Sequence, residues 1–165
     1  MRTQPRIWYA GNFEWPAPLA RSIQTVHTAH ALSRSGATCR LVTMEPEGPA
    51  ISLREALMQY GLEPHPRFAH RAVPVLRAFD SMQRIEIHKR LAITNFSYCA
   101  LASMLALGAS LHRPQRPDWI VARDPRVAWS FLKLRPITKV PVVYEVHELF
   151  GTRPRDNSSL SWIVA

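Results

Sequence analysis

The segment Glu145-Val146-His147-Glu148-Leu149-Phe150-Gly151 holds the densest set of groups able to do chemistry in this chain. An imidazole at a strand end can hydrogen-bond a substrate hydroxyl or move a proton near neutral pH. It can equally serve to tie down its own loop. His147-Glu148 is not a zincin helix, because no second histidine stands four residues further on. His27 and His30 lie one helical turn apart with no evident third ligand, so core or interface histidines are expected there and no metal site is assigned. Arg123-Asp124-Pro125 is the second candidate group. Asp124 is placed to cap a helix, and Arg123 either pairs with it or reaches into a cleft toward a phosphate or carboxylate. The first loop offers Asn12, Arg21 and Ser22.

Some chemistries are disfavoured by absent motifs. No Gly-x-Gly-x-x-Gly follows Tyr9, no phosphate-cradling P-loop occurs, and no Gly-x-Ser-x-Gly elbow is present. Cys39 and Cys99, the two cysteines, stand far apart in apolar stretches and read as buried thiols in a reducing compartment.

The elements that must position these groups alternate along the chain. Ile7-Trp8-Tyr9 reads as a buried strand ended by Ala10-Gly11-Asn12, and a proline-bearing loop follows it. Ser22 is the expected N-cap of a helix closing at Gly36, with Ile23, Val26, Ala29 and His30 on its buried face. Residues 39–43 form a second strand, Ser52 caps a short helix toward Tyr60, and residues 68–75 form a third strand. Helical pattern fills residues 81–89 and 92–111; the stretch from Leu91 to Leu111 is long enough for a membrane span, but Thr94, Asn95, Ser97, Ser103 and Ser110 favour a buried helix. Trp119-Ile120-Val121-Ala122 is a strand, a helix with Pro125 at its first position runs to Leu134, and residues 140–144 are the densest β-branched run. Apolar strands joined by single helices imply parallel crossovers. The expected fold is doubly wound α/β, a mainly parallel Rossmann-like sheet with helices on both faces, whose ligands bind beyond the carboxyl ends of the strands. The loops after residues 9, 122 and 144 form that shared rim.

Length and composition agree with one globular domain: 165 residues, 47% hydrophobic and 20% charged. The net charge of +9 favours anionic partners. Its arginines form no run interleaved with aromatic residues, so no nucleic-acid partner is expected.

Two parts of the sequence resemble a known family. The opening is Ile7 to Asn12, then Arg21-Ser22-Ile23-Gln24-Thr25-Val26-His27, then Ala31-Leu32-Ser33-Arg34-Ser35-Gly36 and the strand at 39–43. The second part pairs Asp118-Trp119-Ile120-Val121-Ala122-Arg123-Asp124-Pro125-Arg126-Val127-Ala128 with Pro141-Val142-Val143-Tyr144-Glu145-Val146-His147-Glu148-Leu149. Together they resemble the N-terminal, acceptor-side domain of a GT-B glycosyltransferase of the family-four type. The resemblance implies one half of a GT-B architecture, with residues 1–151 as the Rossmann-like domain, residues 152–165 as a short tail and the donor-binding half absent. It implies retaining transfer of a sugar from a nucleotide-sugar donor to a glycan or lipid acceptor. The donor is a substrate; no cofactor or metal is implied. His147 would be the catalytic residue, contacting the donor sugar, with Asn12, Arg21, Ser22, Arg123, Asp124, Glu145 and Glu148 binding substrate. Many relatives carry a Gly-Gly pair in the first loop, where this chain has Pro18-Leu19-Ala20-Arg21-Ser22; phosphate contact through that backbone is therefore not carried over.

Developing diphosphate charge must be stabilised during transfer, so this chain alone is expected to be inactive and a separate donor-binding chain is a candidate partner. The alternative is a non-catalytic binding or scaffolding module of the same fold. A cytoplasmic location is expected, with peripheral contact to an anionic inner membrane face through Arg67, Arg71, Arg77 and Arg84.

Overall fold

A computed structural model describes residues 4–49, 51–77, 87–112 and 114–146. The elements run β1 (Arg6–Glu14), α1 (Ala20–Arg34), β2 (Thr38–Met44), α2 (Leu53–Met58), β3 (Phe68–Val73), α3 (Ile87–Leu111), β4 (Trp119–Ala122), α4 (Pro125–Thr138) and β5 (Val142–Tyr144). The five strands pair in parallel in the order β3-β2-β1-β4-β5. This is the doubly wound Rossmann-like sheet that the alternating pattern predicts. The order reverses between β1 and β4, which makes their carboxyl ends the topological switch point.

Alternate residues of the strands feed two cores. Tyr9, Phe13, Leu41 and Phe68 pack under α1 and α2 with Val26, Ala29, Ala56 and Leu57. Trp8, Ala10, Val42, Ile120 and Ala122 pack under α3 and α4 with Tyr98, Ala102, Ala106, Val127 and Phe131. Tyr98 is fully buried, and its hydroxyl donates 2.9 Å to the Val42 carbonyl, which pins α3 to the sheet. At the edge of the first core the His70 ring meets Trp15 edge-on at 4.5 Å, and its Nε2 lies 2.8 Å from Thr43 Oγ1.

Local sequence rules account for several boundaries. Ser52 and Glu55 form a reciprocal capping box at the start of α2. Gly36, with φ at +110°, closes the turn after α1 in a conformation that a side chain would strain.

Other boundaries differ from the sequence reading. β1 does not end at Ala10-Gly11-Asn12 but runs on to Glu14, with an irregular register between Ala10 and Glu14. Gly11 is needed there because a Cβ would stand 2.2 Å from the Phe13 ring, so the glycine marks a close approach and not a turn. α1 begins before Ser22, and Leu19 is its N-cap. Its buried face is Ser22, Thr25, Val26, Ala29, His30 and Ser33, while Ile23 is exposed. α4 continues past Leu134 through Pro136, burying Thr138, and ends on Lys139 in the left-handed region. Residues 81–86 of the expected first helix before α3 lie outside the described residues.

Candidate functional site

Parallel register builds the switch-point rim. Ala10 pairs with Ala122, and Ala122 pairs with Tyr144. Asn12 and Asp124 each stand two residues beyond that row, and they meet: Asn12 Nδ2 donates to Asp124 Oδ2 at 3.4 Å. Glu145 joins the same rim through its N–H, which donates 2.9 Å to the Ala122 carbonyl. The structure thus brings the ends of β1, β4 and β5 together, as the topology requires. His147 and Glu148 lie outside the described residues.

Asp124 is the hub. It caps α4 by accepting from Arg126 N at 2.8 Å and Val127 N at 3.4 Å. The Arg126 guanidinium folds back on the same carboxylate through Nε at 3.1 Å and Nη2 at 2.8 Å. Burial alone would push this carboxyl upward. The hydrogen bonds and charge of Arg126, with help from Asn12, outweigh burial and hold it below the ordinary aspartate range. A carboxylate so held stays ionised near neutral pH and has most of its lone pairs occupied. It organises the rim and is poorly suited to take up a proton.

Arg123 does not pair with Asp124. Its Nη1 donates to the Arg21 carbonyl and to Thr25 Oγ1, and its Nη2 donates to Gln24 Oε1, each at 2.9 Å. Thr25 in turn donates to the Arg21 carbonyl at 2.7 Å. The guanidinium therefore clamps the loop after β4 onto the first turn of α1. Ser22 is buried, and its hydroxyl donates to Ala17 and Leu19 carbonyls within the loop. The Arg21 side chain is on the exposed surface of the same turn. No side chain caps α1, in contrast to α4, and no acidic residue occupies the first turn of α1. That leaves the positive end of the α1 dipole available to an anion beside Arg21.

Asn12 Oδ1 is buried and has no hydrogen-bond partner among the described residues. An acceptor of this kind is satisfied by a hydroxyl or N–H donor. Tyr144 stands on β5, one strand further along the sheet beyond β4; burial, reinforced by the charge of Asp124, raises its phenol and keeps it protonated. Cys99 on α3 is pushed up to about 11, first by burial and then by the same carboxylate, so it is a thiol and not a nucleophile at neutral pH. Burial likewise pushes Cys39 up to about 12. Nothing among the described residues groups three or more His, Cys, Asp or Glu as metal ligands. His30 instead spends Nε2 on the Glu63 carbonyl at 2.8 Å, and His27 is exposed.

Arg126, Gln24, Thr25 and Tyr144 are rim residues that sequence reasoning leaves unassigned. The signal for Arg126 is local: an arginine two positions after a capping aspartate can fold back onto it. No comparable local signal marks Gln24 and Thr25, whose partner stands in the loop after β4, 99 and 98 residues away.

The fold is a Rossmann-like α/β domain, consistent with one half of a GT-B architecture. No family model matches the sequence, and no curated protein matches it. Solved structures do match the fold. Phytolacca americana UGT2, complexed with UDP-2-fluoro-glucose and pterostilbene, aligns with a TM-score of 0.57 at 14% identity over 88% of this chain and 31% of that one. LpCGTa in complex with UDP aligns with a TM-score of 0.53 at 12% identity over 87% and 30% of the two chains. Os79 from O. sativa, in complex with UDP and deoxynivalenol-3-glucoside, gives 0.50 at 13% identity over 84% and 28%. The chain thus spans less than a third of the length of each of these structures, and at such identities the likeness is one of fold.

Proposed function

We propose that this chain is the acceptor-side domain of a retaining glycosyltransferase of the family-four type, taking part in sugar transfer from a nucleotide-sugar donor to a glycan or lipid acceptor. One observation carries the reading. Two segments of the sequence resemblance, Arg123-Asp124-Pro125-Arg126 directly after β4 and Val142-Val143-Tyr144-Glu145 at the end of the adjacent β5, meet at the rim where this fold binds ligands. Their hydrogen-bonding surface supports it: the Asn12 acceptor and the Tyr144 phenol suit a polyhydroxylated ligand, and the uncapped α1 turn beside Arg21 suits an anion.

In this reading Asp124 and Arg123 are positioning residues. Asp124 orders Asn12 and Arg126, while Arg123 sets α1 against β4. His147, in the segment that follows β5 in the sequence, is the residue proposed to face the donor sugar. Transfer needs the leaving diphosphate stabilised, and we assign that task to a donor-binding part outside these 165 residues, in the same or another polypeptide. The test is amide-resolved NMR titration of the chain with glycosides and lipid-linked glycans, alongside turnover assays with UDP-, GDP- and ADP-sugars. Shifts are expected at Asn12, residues 123–127 and Glu145, with no turnover. Shifts confined to other surfaces would overturn the site, and turnover by the chain alone would overturn the division of labour.

A further inference from the structure

α3 is apolar on opposite faces. Tyr98, Ala102, Ala106 and Ala109 are buried against the sheet. Ile93, Phe96, Met104 and Leu111 recur at helical spacing on the opposite side and are exposed, Phe96 by 77% and Met104 by 67%. A helix apolar all round is normally covered all round. The sequence reading of residues 92–111 as a buried helix therefore holds for one face only. A shallow apolar groove of about 550 Å³, lined by Leu76, Ile93, Phe96, Ala100 and Leu101 among others, continues this face. Leu76 follows the carboxyl end of β3, so the groove opens at the same end of the sheet as the rim.

α4 packs beside α3 on the same side of the sheet and adds Trp129, 62% exposed, with Leu132 and Ile137. The Lys133 ammonium sits 5.0 Å from the Trp129 ring centre. Charge indicates what covers this surface. Neither α3 nor α4 contains an aspartate or glutamate, whereas Lys89, Arg90, Lys133 and Arg135 fall within them and Arg116 and Lys139 follow their ends; Arg126, also in α4, is already held by Asp124. Apolar side chains, an interfacial tryptophan and cations without anions are the composition of a helix lying in the headgroup region of an anionic bilayer. At 25 residues α3 is about 37 Å long, enough for a lengthwise footprint in that plane. Of the arginines first expected to serve this role, Arg77 fits it less well. Arg77 is committed to Glu14 at 3.2 Å and Glu47 at 3.0 Å, and Arg84 lies outside the described residues.

We propose that the α3–α4 face docks the protein peripherally on an anionic lipid bilayer, with Phe96, Met104 and Trp129 entering the interface. This does not depend on the sugar-transfer reading. The test is co-sedimentation of the 165-residue chain with vesicles of phosphatidylcholine alone or mixed with phosphatidylglycerol. Binding is expected on the mixed vesicles, weakening with salt, and Phe96→Asp with Met104→Asp should lower the partition coefficient at least about tenfold. Both side chains are exposed, so the melting temperature should barely move. As a readout independent of that variant, Trp129 fluorescence should be quenched by brominated acyl chains, and the quenching lost in Trp129→Phe. No binding to anionic vesicles, binding indifferent to the double substitution, or Trp129 untouched by brominated lipid would overturn the proposal. So would a wild-type dimer dispersed by Phe96→Asp, which would put a second copy on this face.

Discussion

Lowering the pH should unload a specific part of the stability of this fold through His70. The ring is partly buried between Trp15 and Thr43, and burial lowers its pKa from 6.5 to about 4. Between those values the unfolded chain binds a proton that the folded chain refuses. Stability linked to His70 is therefore complete above about pH 6.5 and is lost as the pH falls toward about 4. That depression corresponds to about 3 kcal/mol; the part realised between about pH 7 and about pH 4.5 is about 2 kcal/mol. Urea unfolding at the two pH values, for the wild type and for His70→Phe, isolates the contribution, because other titrating groups are common to both. The wild type should lose about 2 kcal/mol more than the variant on acidification. The comparison is of pH dependence alone, so any change in packing from the substitution drops out. Equal losses, or a His70 ring that titrates near 6.5 by NMR, would refute the reasoning.

Two further substitutions test the rim. Arg123→Met removes three hydrogen bonds to α1 and leaves buried Thr25 without its guanidinium partner; a loss of about 1–3 kcal/mol in urea unfolding is expected, with faster amide exchange in the first turn of α1. Unchanged exchange there would show that α1 does not depend on the clamp. Asp124→Ala removes the α4 cap and should cost about 1–2 kcal/mol, whereas Arg126→Gln, at an exposed side chain, should cost about 1 kcal/mol or less; the reverse order in chemical denaturation would contradict the assignment of Asp124 as hub.

What the sequence determined by itself was local. Proline and aspartate around residue 124 dictate the start of α4, serine and glutamate at 52 and 55 dictate that of α2, and unbroken apolar runs mark β4 and β5. Each depends on contacts within a few residues, so spacing and side-chain chemistry suffice. Gly11 shows the limit: a glycine after an apolar run normally signals a turn, and only the position of the Phe13 ring reveals that the strand continues. The tertiary structure alone decided the strand order, and with it which loops share a rim. Asn12 and Asp124 meet across 112 residues because β1 and β4 are neighbours in register. The same adjacency sends Arg123 to α1 when its nearest carboxylate in sequence is Asp124, which Arg126 already holds. Which face of α3 stays uncovered was likewise unreadable, since an apolar residue looks the same in sequence whether it meets the sheet or the outside. Local rules place a residue on an element; only the packing of elements gives it partners.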